Sequence, residues 1–283
     1  MSIQRGRAGK YKIFKKTAES LVWYNGQKIT RAAKNEERAG GGGERTMLSI
    51  EHLVKTYGGG VRAVDDLSLE VRPGDIYGFI GHNGAGKTTT LRSIAGILSF
   101  DSGTIRIDGR SITDDPIGCK KEMAYIPDNP DLYEHLTGIQ YFNFVADIYG
   151  VSAAARDERI KKYADAFEMT SRLNDLIGSC SHGMKQKIAV ISALLHEPKL
   201  LLLDEPFVGL DPKASHTLKG FMKELCDQGS AIFFSTHVLE VAEKLCNKIA
   251  IIKQGKLIAA GDMETVKGDE SLETLFLELT DHA

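Results

Sequence analysis

The chain has 283 residues, 42% hydrophobic and 26% charged, with a formal net charge of −2. That composition belongs to an ordinary globular protein of one large or two modest domains, and it excludes collagen-like, low-complexity and disulfide-scaffold chains. No apolar run reaches the roughly 18–20 residues of a membrane-spanning helix, and the N-terminus lacks the apolar core of a secretory signal. The four cysteines (Cys119, Cys180, Cys226, Cys246) are scattered without a C-x-x-C pair, which predicts reduced thiols in a cytosolic setting.

Charge is unevenly distributed along the chain. Residues 1–46 hold eleven Lys/Arg against four Asp/Glu and end in four glycines followed by Glu44-Arg45-Thr46 before Met47. Three readings of this extension stand open. It is a basic arm for nucleic acid or anionic lipid, a small ordered addition, or a segment upstream of a true translation start at Met47. The last is favoured here, because purine-rich Glu, Gly and Arg codons ahead of a Met resemble a ribosome-binding region read through as protein.

From Met47 onward, strands and helices alternate, as in a parallel-sheet nucleotide-binding domain. Leu48–Ile50 with Leu53-Val54 reads as an edge strand, and 67–71 and 105–107 read as half-exposed antiparallel strands. Ile76–Ile80 is an apolar run, the pattern of a buried strand. The stretch from about 129 to 182 lacks strand signals and carries helical spacing at Ile139, Phe142, Val145, Ala146 and Tyr149, which predicts an inserted helical subdomain. Strand signals resume at Leu200 and at 231–235, and a final hairpin turns at Gln254-Gly255.

Residues 81–89 read Gly-His-Asn-Gly-Ala-Gly-Lys-Thr-Thr, a full match to the phosphate-cradling loop G-x-x-x-x-G-K-[ST]. Gly81, Gly84 and Gly86 are expected to let the backbone turn so that successive N–H groups face phosphate oxygens. Lys87 supplies a point charge for the β- and γ-phosphates, and Thr88 offers a hydroxyl to Mg²⁺. Leu91, Ile94, Ala95 and Leu98 give helical spacing after the loop and place a helix N-terminus under the anion. The expected nucleotide contacts are therefore Gly81, His82, Asn83, Gly84, Ala85, Gly86, Lys87, Thr88 and Thr89.

Residues 200–206 read Leu-Leu-Leu-Leu-Asp-Glu-Pro. Four leucines in a row predict a central strand buried on both faces, ending in carboxylates where open α/β sheets present their ligands. Asp204 is placed to hold Mg²⁺ opposite Thr88, and Glu205 suits the general base for an attacking water.

Residues 179–187 read Ser-Cys-Ser-His-Gly-Met-Lys-Gln-Lys. This segment resembles the Leu-Ser-Gly-Gly-Gln signature of ATP-binding-cassette (ABC) ATPases and lies, as in that family, shortly before the Asp-Glu strand. Ser181 and Gly183 sit where a helix N-terminus attracts phosphate. The departures are Cys180, His182 and Met184, and the Ser-x-Gly-Met-Lys-Gln form is similar to that of drug- and peptide-exporter ATPases. Gly209-Leu210-Asp211-Pro212 looks like the family's D-loop, with Asp211 coupling two sites across a dimer. Ser235-Thr236-His237 looks like its switch segment, with His237 on the γ-phosphate. Tyr57 matches the aromatic that stacks on adenine. Asp128 stands where the family has its Q-loop glutamine. It either adds a charge beside Mg²⁺ and changes the metal dependence, or merely caps the turn at Asn129-Pro130.

The resemblance covers residues 47–283 and implies a P-loop ABC fold: a RecA-like parallel core, an antiparallel β subdomain and an inserted helical subdomain. It implies an ATPase using ATP and Mg²⁺, working as a homo- or heterodimer that completes each site with the partner's Ser181 and Gly183. The expected setting is the cytoplasmic face of a membrane, powering export through a separate transmembrane permease that docks near 128–133, with no nucleic acid involved. The alternative is an ABC ATPase acting on ribosomes or nucleic acid, which the family builds from tandem or coiled-coil-split cassettes absent here. A non-hydrolysing regulatory module is disfavoured by Lys87, Asp204, Glu205 and His237 together. A GTPase is disfavoured because Asn247-Lys248 is followed by Ile249-Ala250 rather than the guanine-reading pattern.

Overall fold

The computed structural model describes residues 22–24, 27–29 and 45–281. Within the extension, two short strands, β1 (Val22–Tyr24) and β2 (Gln27–Ile29), pair antiparallel, and Val22 lies opposite Ala259. Arg45 grips Asp108 with two parallel hydrogen bonds, from Nε at 2.9 Å and Nη2 at 2.7 Å. The rest of the segment before Met47, and with it the choice among the three readings, lies outside the described residues.

The strand β3 (Leu48–Thr56) turns through three glycines into β4 (Arg62–Val71). Next come β5 (Ile76–Ile80) and α1 (Lys87–Ile94), then β6 (Ser102–Ile107) and β7 (Arg110–Ser111). The first sheet is antiparallel in the order β4-β3-β6-β7. The expected edge strand at Leu48 is therefore an inner one, with Leu48 paired to Val71 on one side and Ile107 on the other. Alternation reports which face of a strand is buried. It carries no information about whether its two backbone edges are paired.

A short α2 (Pro116–Glu122), capped by Asp115, leads into β8 (Met123–Ile126). The region predicted to be helical holds α3 (Gly138–Ile148), α4 (Ala153–Ala166), two 3₁₀ turns at 170–172 and 177–179, and the start of α5 (His182–Leu194). Each α-helix there has a side-chain N-cap: Thr137 in a full capping box with Gln140, Ser152, and Ser181. Phe142, Ile160, Tyr163 and Phe167 are buried and share a core with Ile188 and Ile191 of α5.

The chain closes with β9 (Leu200–Asp204), α6 (Pro212–Asp227), β10 (Ala231–Thr236), α7 (Leu239–Leu245), β11 (Lys248–Lys253), β12 (Lys256–Asp262), α8 (Met263–Lys267) and α9 (Leu272–Asp281). The large sheet runs β2-β1-β12-β11-β5-β10-β9-β8, parallel from β11 through β8. Gln254 and Gly255 both have positive φ (48° and 80°), the two-residue turn that the hairpin requires. Leu201 and Leu203 of β9 face one hydrophobic core with α5 and α6, while Leu200 and Leu202 face a second core with α1 and the smaller sheet. This two-sided burial is why the strand reads as an unbroken apolar run.

Candidate functional site

The strand order β5-β10-β9 gathers the C-terminal tips of three strands that are remote in sequence. The loop after β5 turns where Gly84 (φ 80°) and Gly86 (φ 108°) take left-handed backbone. Gly81 has no such angle. It serves close approach instead, since a Cβ there would lie 2.5 Å from the Ile252 carbonyl oxygen. The helix α1 begins at Lys87 with no side-chain cap and no acidic residue in its first turn, leaving its N-terminal field for an anion. It ends at Ile94, short of Leu98, because Gly96 turns left-handed (φ 64°). The Lys87 ammonium donates to the carbonyls of Gly81 (2.6 Å) and His82 (3.3 Å).

Asp204, at the tip of β9, is 1% exposed. Burial raises its carboxyl pKa above the ordinary value, while hydrogen bonds from Ser235 and Thr88 act in the opposite sense. Its Oδ1 accepts from the Ser235 hydroxyl, and its buried Oδ2 has no hydrogen-bond partner. Glu205 holds left-handed backbone (φ 49°), and its N–H donates to the carbonyl (3.2 Å) and hydroxyl (3.1 Å) of Ser235. The Glu205 carboxylate Oε1 lies 2.9 Å from His237 Nδ1 and 3.5 Å from Lys87 Nζ. Lys87, Asp204, Glu205, His237 and Thr88 thus form one connected group. Ser235, which donates to the Asp204 carboxylate and accepts the Glu205 backbone N–H, was not singled out from sequence. Its place in Ser-Thr-His at a strand tip was the available signal.

Among the described residues no cluster of three or more His, Cys, Asp or Glu forms a metal cage. A small divalent cation that shares phosphate oxygens needs only one or two protein ligands. The orphaned Oδ2 of Asp204, with the Thr88 hydroxyl bonded to the same side chain, fits that need. Asp128 is exposed after β8, and its Oδ1 accepts the Asn129 N–H at 2.9 Å, the local bond of a turn cap. Its charge also reaches Asp204, so the metal reading keeps a physical basis.

A second group forms separately. Ser181 caps α5 by accepting the Met184 N–H at 3.3 Å. Gly183 lies against Gly209, where a Cβ would come 2.7 Å from the carbonyl oxygen. The His182 ring covers Gly209 from outside, and Ser181 and His182 are exposed. Asp211 caps α6 by accepting the Ala214 N–H (2.8 Å) and pairs with Lys187 at 2.8 Å. Residues 181–187 and 209–211 therefore make one surface block. Tyr57 is 44% exposed, with its hydroxyl 3.3 Å from Thr89 Oγ1, so its ring borders the phosphate loop.

This arrangement of phosphate loop, buried aspartate, paired glutamate and histidine is what hydrolysis of a nucleoside triphosphate needs. Residues 64–208 match the family model described as ABC transporter. The chain is 36% identical over 242 residues to the ABC-type transporter ATP-binding protein EcsA of Bacillus subtilis, covering 83% of this chain and 97% of that protein. It is 35% identical over 246 residues to the Nod factor export ATP-binding protein I of Cupriavidus metallidurans, covering 83% and 80%. A solved ATP-binding subunit of an ABC transporter is similar with a TM-score of 0.80 and 36% identity, over 83% of this chain and all of that one.

Proposed function

The chain belongs to the ABC transporter family as an ATP-binding, ATP-hydrolysing subunit, and from that premise we propose that it drives export through a separate transmembrane partner. Two features support the direction. One is similarity to a relative named for Nod factor export, and the other is the Ser-x-Gly-Met-Lys-Gln segment. No helix among the described residues is long and apolar enough to cross a membrane. The substrate path then belongs to a permease, and this chain works peripherally on the cytoplasmic face. The permease docks where the loop 128–133 meets the helical block, whose Tyr133 (51%) and Phe144 (41%) are exposed.

The observation that carries the chemistry is Glu205 Oε1, held between His237 Nδ1 (2.9 Å) and Lys87 Nζ (3.5 Å). Lys87 and the amides of 81–89 bind the β- and γ-phosphates. Tyr57 stacks on adenine. Glu205 accepts a proton from the attacking water, and His237 holds the γ-phosphate in line. Thr88 and Asp204 would hold Mg²⁺, with Asp128 adding a nearby charge. The ion supplies charge neutralisation across the phosphates when bound. Ser181 and Gly183 of a second copy close the site from the other side, and Asp211 links the two sites. The 47–283 cassette is the working unit, and 129–182 is its coupling subdomain. No observation favours the ribosome or nucleic-acid alternative.

Glu205→Gln tests this reading. The variant is expected to keep ATP affinity, to lose ~10²–10⁴-fold in hydrolysis, and to elute as an ATP-dependent dimer in size-exclusion chromatography. Parental turnover, or a monomer at saturating ATP, overturns it.

A further inference from the structure

The phosphate loop is backed by the C-terminal part of the chain at three points. The Gly255 N–H donates to the Ala85 carbonyl at 2.9 Å. The Ile252 carbonyl fills the space behind Gly81. The third point is an aromatic contact: the Phe276 ring of α9 meets the His82 imidazole edge-on, centroids 4.8 Å apart and planes at 62°.

The first two contacts come from the β11–β12 hairpin and belong to the sheet itself. The third depends on a helix that follows the last strand. Phe276 is 6% exposed and Leu272 is fully buried, so α9 is seated rather than loosely draped. The Lys253 ammonium at the end of β11 donates to the Thr280 carbonyl and ties down the far end of the same helix. The helix also packs on α7, which starts at Leu239, just after His237. One short helix therefore touches both the second residue of the phosphate loop and the helix behind the switch histidine.

We infer that Phe276 is a positioning residue for ATP and that α9 sets the affinity of the phosphate loop through the Phe276–His82 contact; this rests on the reading of 81–89 as the ATP site. The physical reason is preorganisation. Gly84 and Gly86 leave the loop free to sample several backbone conformations. Each outside anchor narrows that set before the ligand arrives, and reduces the ordering cost of binding. His82 is exposed, and among the described residues its ring contact is with Phe276. Anything that lifts α9 releases this end of the loop.

The test compares the full chain with Phe276→Ala and Phe276→Leu, the latter keeping apolar volume without the ring. ATP titration and steady-state hydrolysis are expected to show KM and Kd for ATP raised ~3–10-fold, the range of one aromatic pair, with kcat within about twofold. In a His82→Ala background, Phe276→Leu is expected to change nothing further. Phe167→Leu, buried in the helical region away from α9, is the folding control: it lowers the melting temperature and leaves KM unchanged. Parental KM in Phe276→Leu, or effects of the two sites that add in full, overturns the inference. Absence of ATP binding in the parent chain overturns instead the assignment of 81–89.

Discussion

The floor of the candidate site at 81–89 and the block at 181–187 both place glycine at a helix N-terminus, yet they differ in what stands around it. At the floor, Lys87 is 6% exposed and Asp204 1%, because β5, β9 and β10 bring Glu205, Ser235 and His237 to the same point. At the signature, Ser181 and His182 are exposed and their neighbours are the backbone of Gly209 and the Lys187–Asp211 pair. A helix N-terminus attracts an anion weakly by itself. It becomes a reaction site only when remote strands add walls and charges. The described residues build those walls once, and in the proposed function a second molecule supplies the missing side.

The sharpest way to break that comparison is Gly183→Ala. A Cβ there would lie 2.7 Å from the Gly209 carbonyl, so the block must shift. Because a displacement of about 1 Å in a site costs up to ~10²-fold in rate, turnover is expected to fall by that order while ATP binding to the isolated chain stays parental. An equal loss of both would mean that the two regions are one site within a single chain.

His196 sits at the joint between the regions, where α5 meets the sheet. It stacks on Tyr149 with centroids 3.7 Å apart, and its Nε2 is 3.3 Å from the Met123 carbonyl. Burial lowers its pKa from 6.5 to about 4. The folded state therefore binds fewer protons than the unfolded one across that window, and stability present above pH 6.5 is lost as pH falls toward 4. His196→Phe keeps the ring stack and is expected to flatten this slope, by about 1–2 kcal/mol over the window. Parallel melting-temperature profiles for the two proteins would refute it.

The smallest effect separates stability from function at the floor. Burial raises the Asp204 pKa, so its charge disfavours folding at neutral pH, and neutralising it should help. Asp204→Asn is expected to gain about 1 kcal/mol, ~2–4 °C in melting temperature, while losing hydrolysis. An unchanged or lower melting temperature would show that the carboxylate is fully compensated by Ser235 and Thr88.

Contiguous strings were the legible parts. The loop 81–89, the strand Leu200–Leu203 and the helical stretch each carry their pattern within a few turns of chain. What sequence could not supply was adjacency. Nothing in the alternation of Leu48–Ile50 says that β6 pairs on its far side, and nothing near Asp204 says that Ser235 will orient it. The roles of the glycines were only half legible as well. Gly84 and Gly86 turn the chain as expected, but Gly81 is needed because Ile252, from a distant strand, lies behind it. His82 met Phe276 for the same kind of reason, since a ring contact between loop and C-terminal helix leaves no periodic trace.

The four leucines of β9 also make it a stiff mechanical part. A strand gripped on both faces, with Leu200 and Leu202 in one core and Leu201 and Leu203 in the other, cannot slide or tilt without opening gaps on both sides, and close-packed interiors resist that. Asp204 and Glu205 at its end are therefore anchored against displacement from either side.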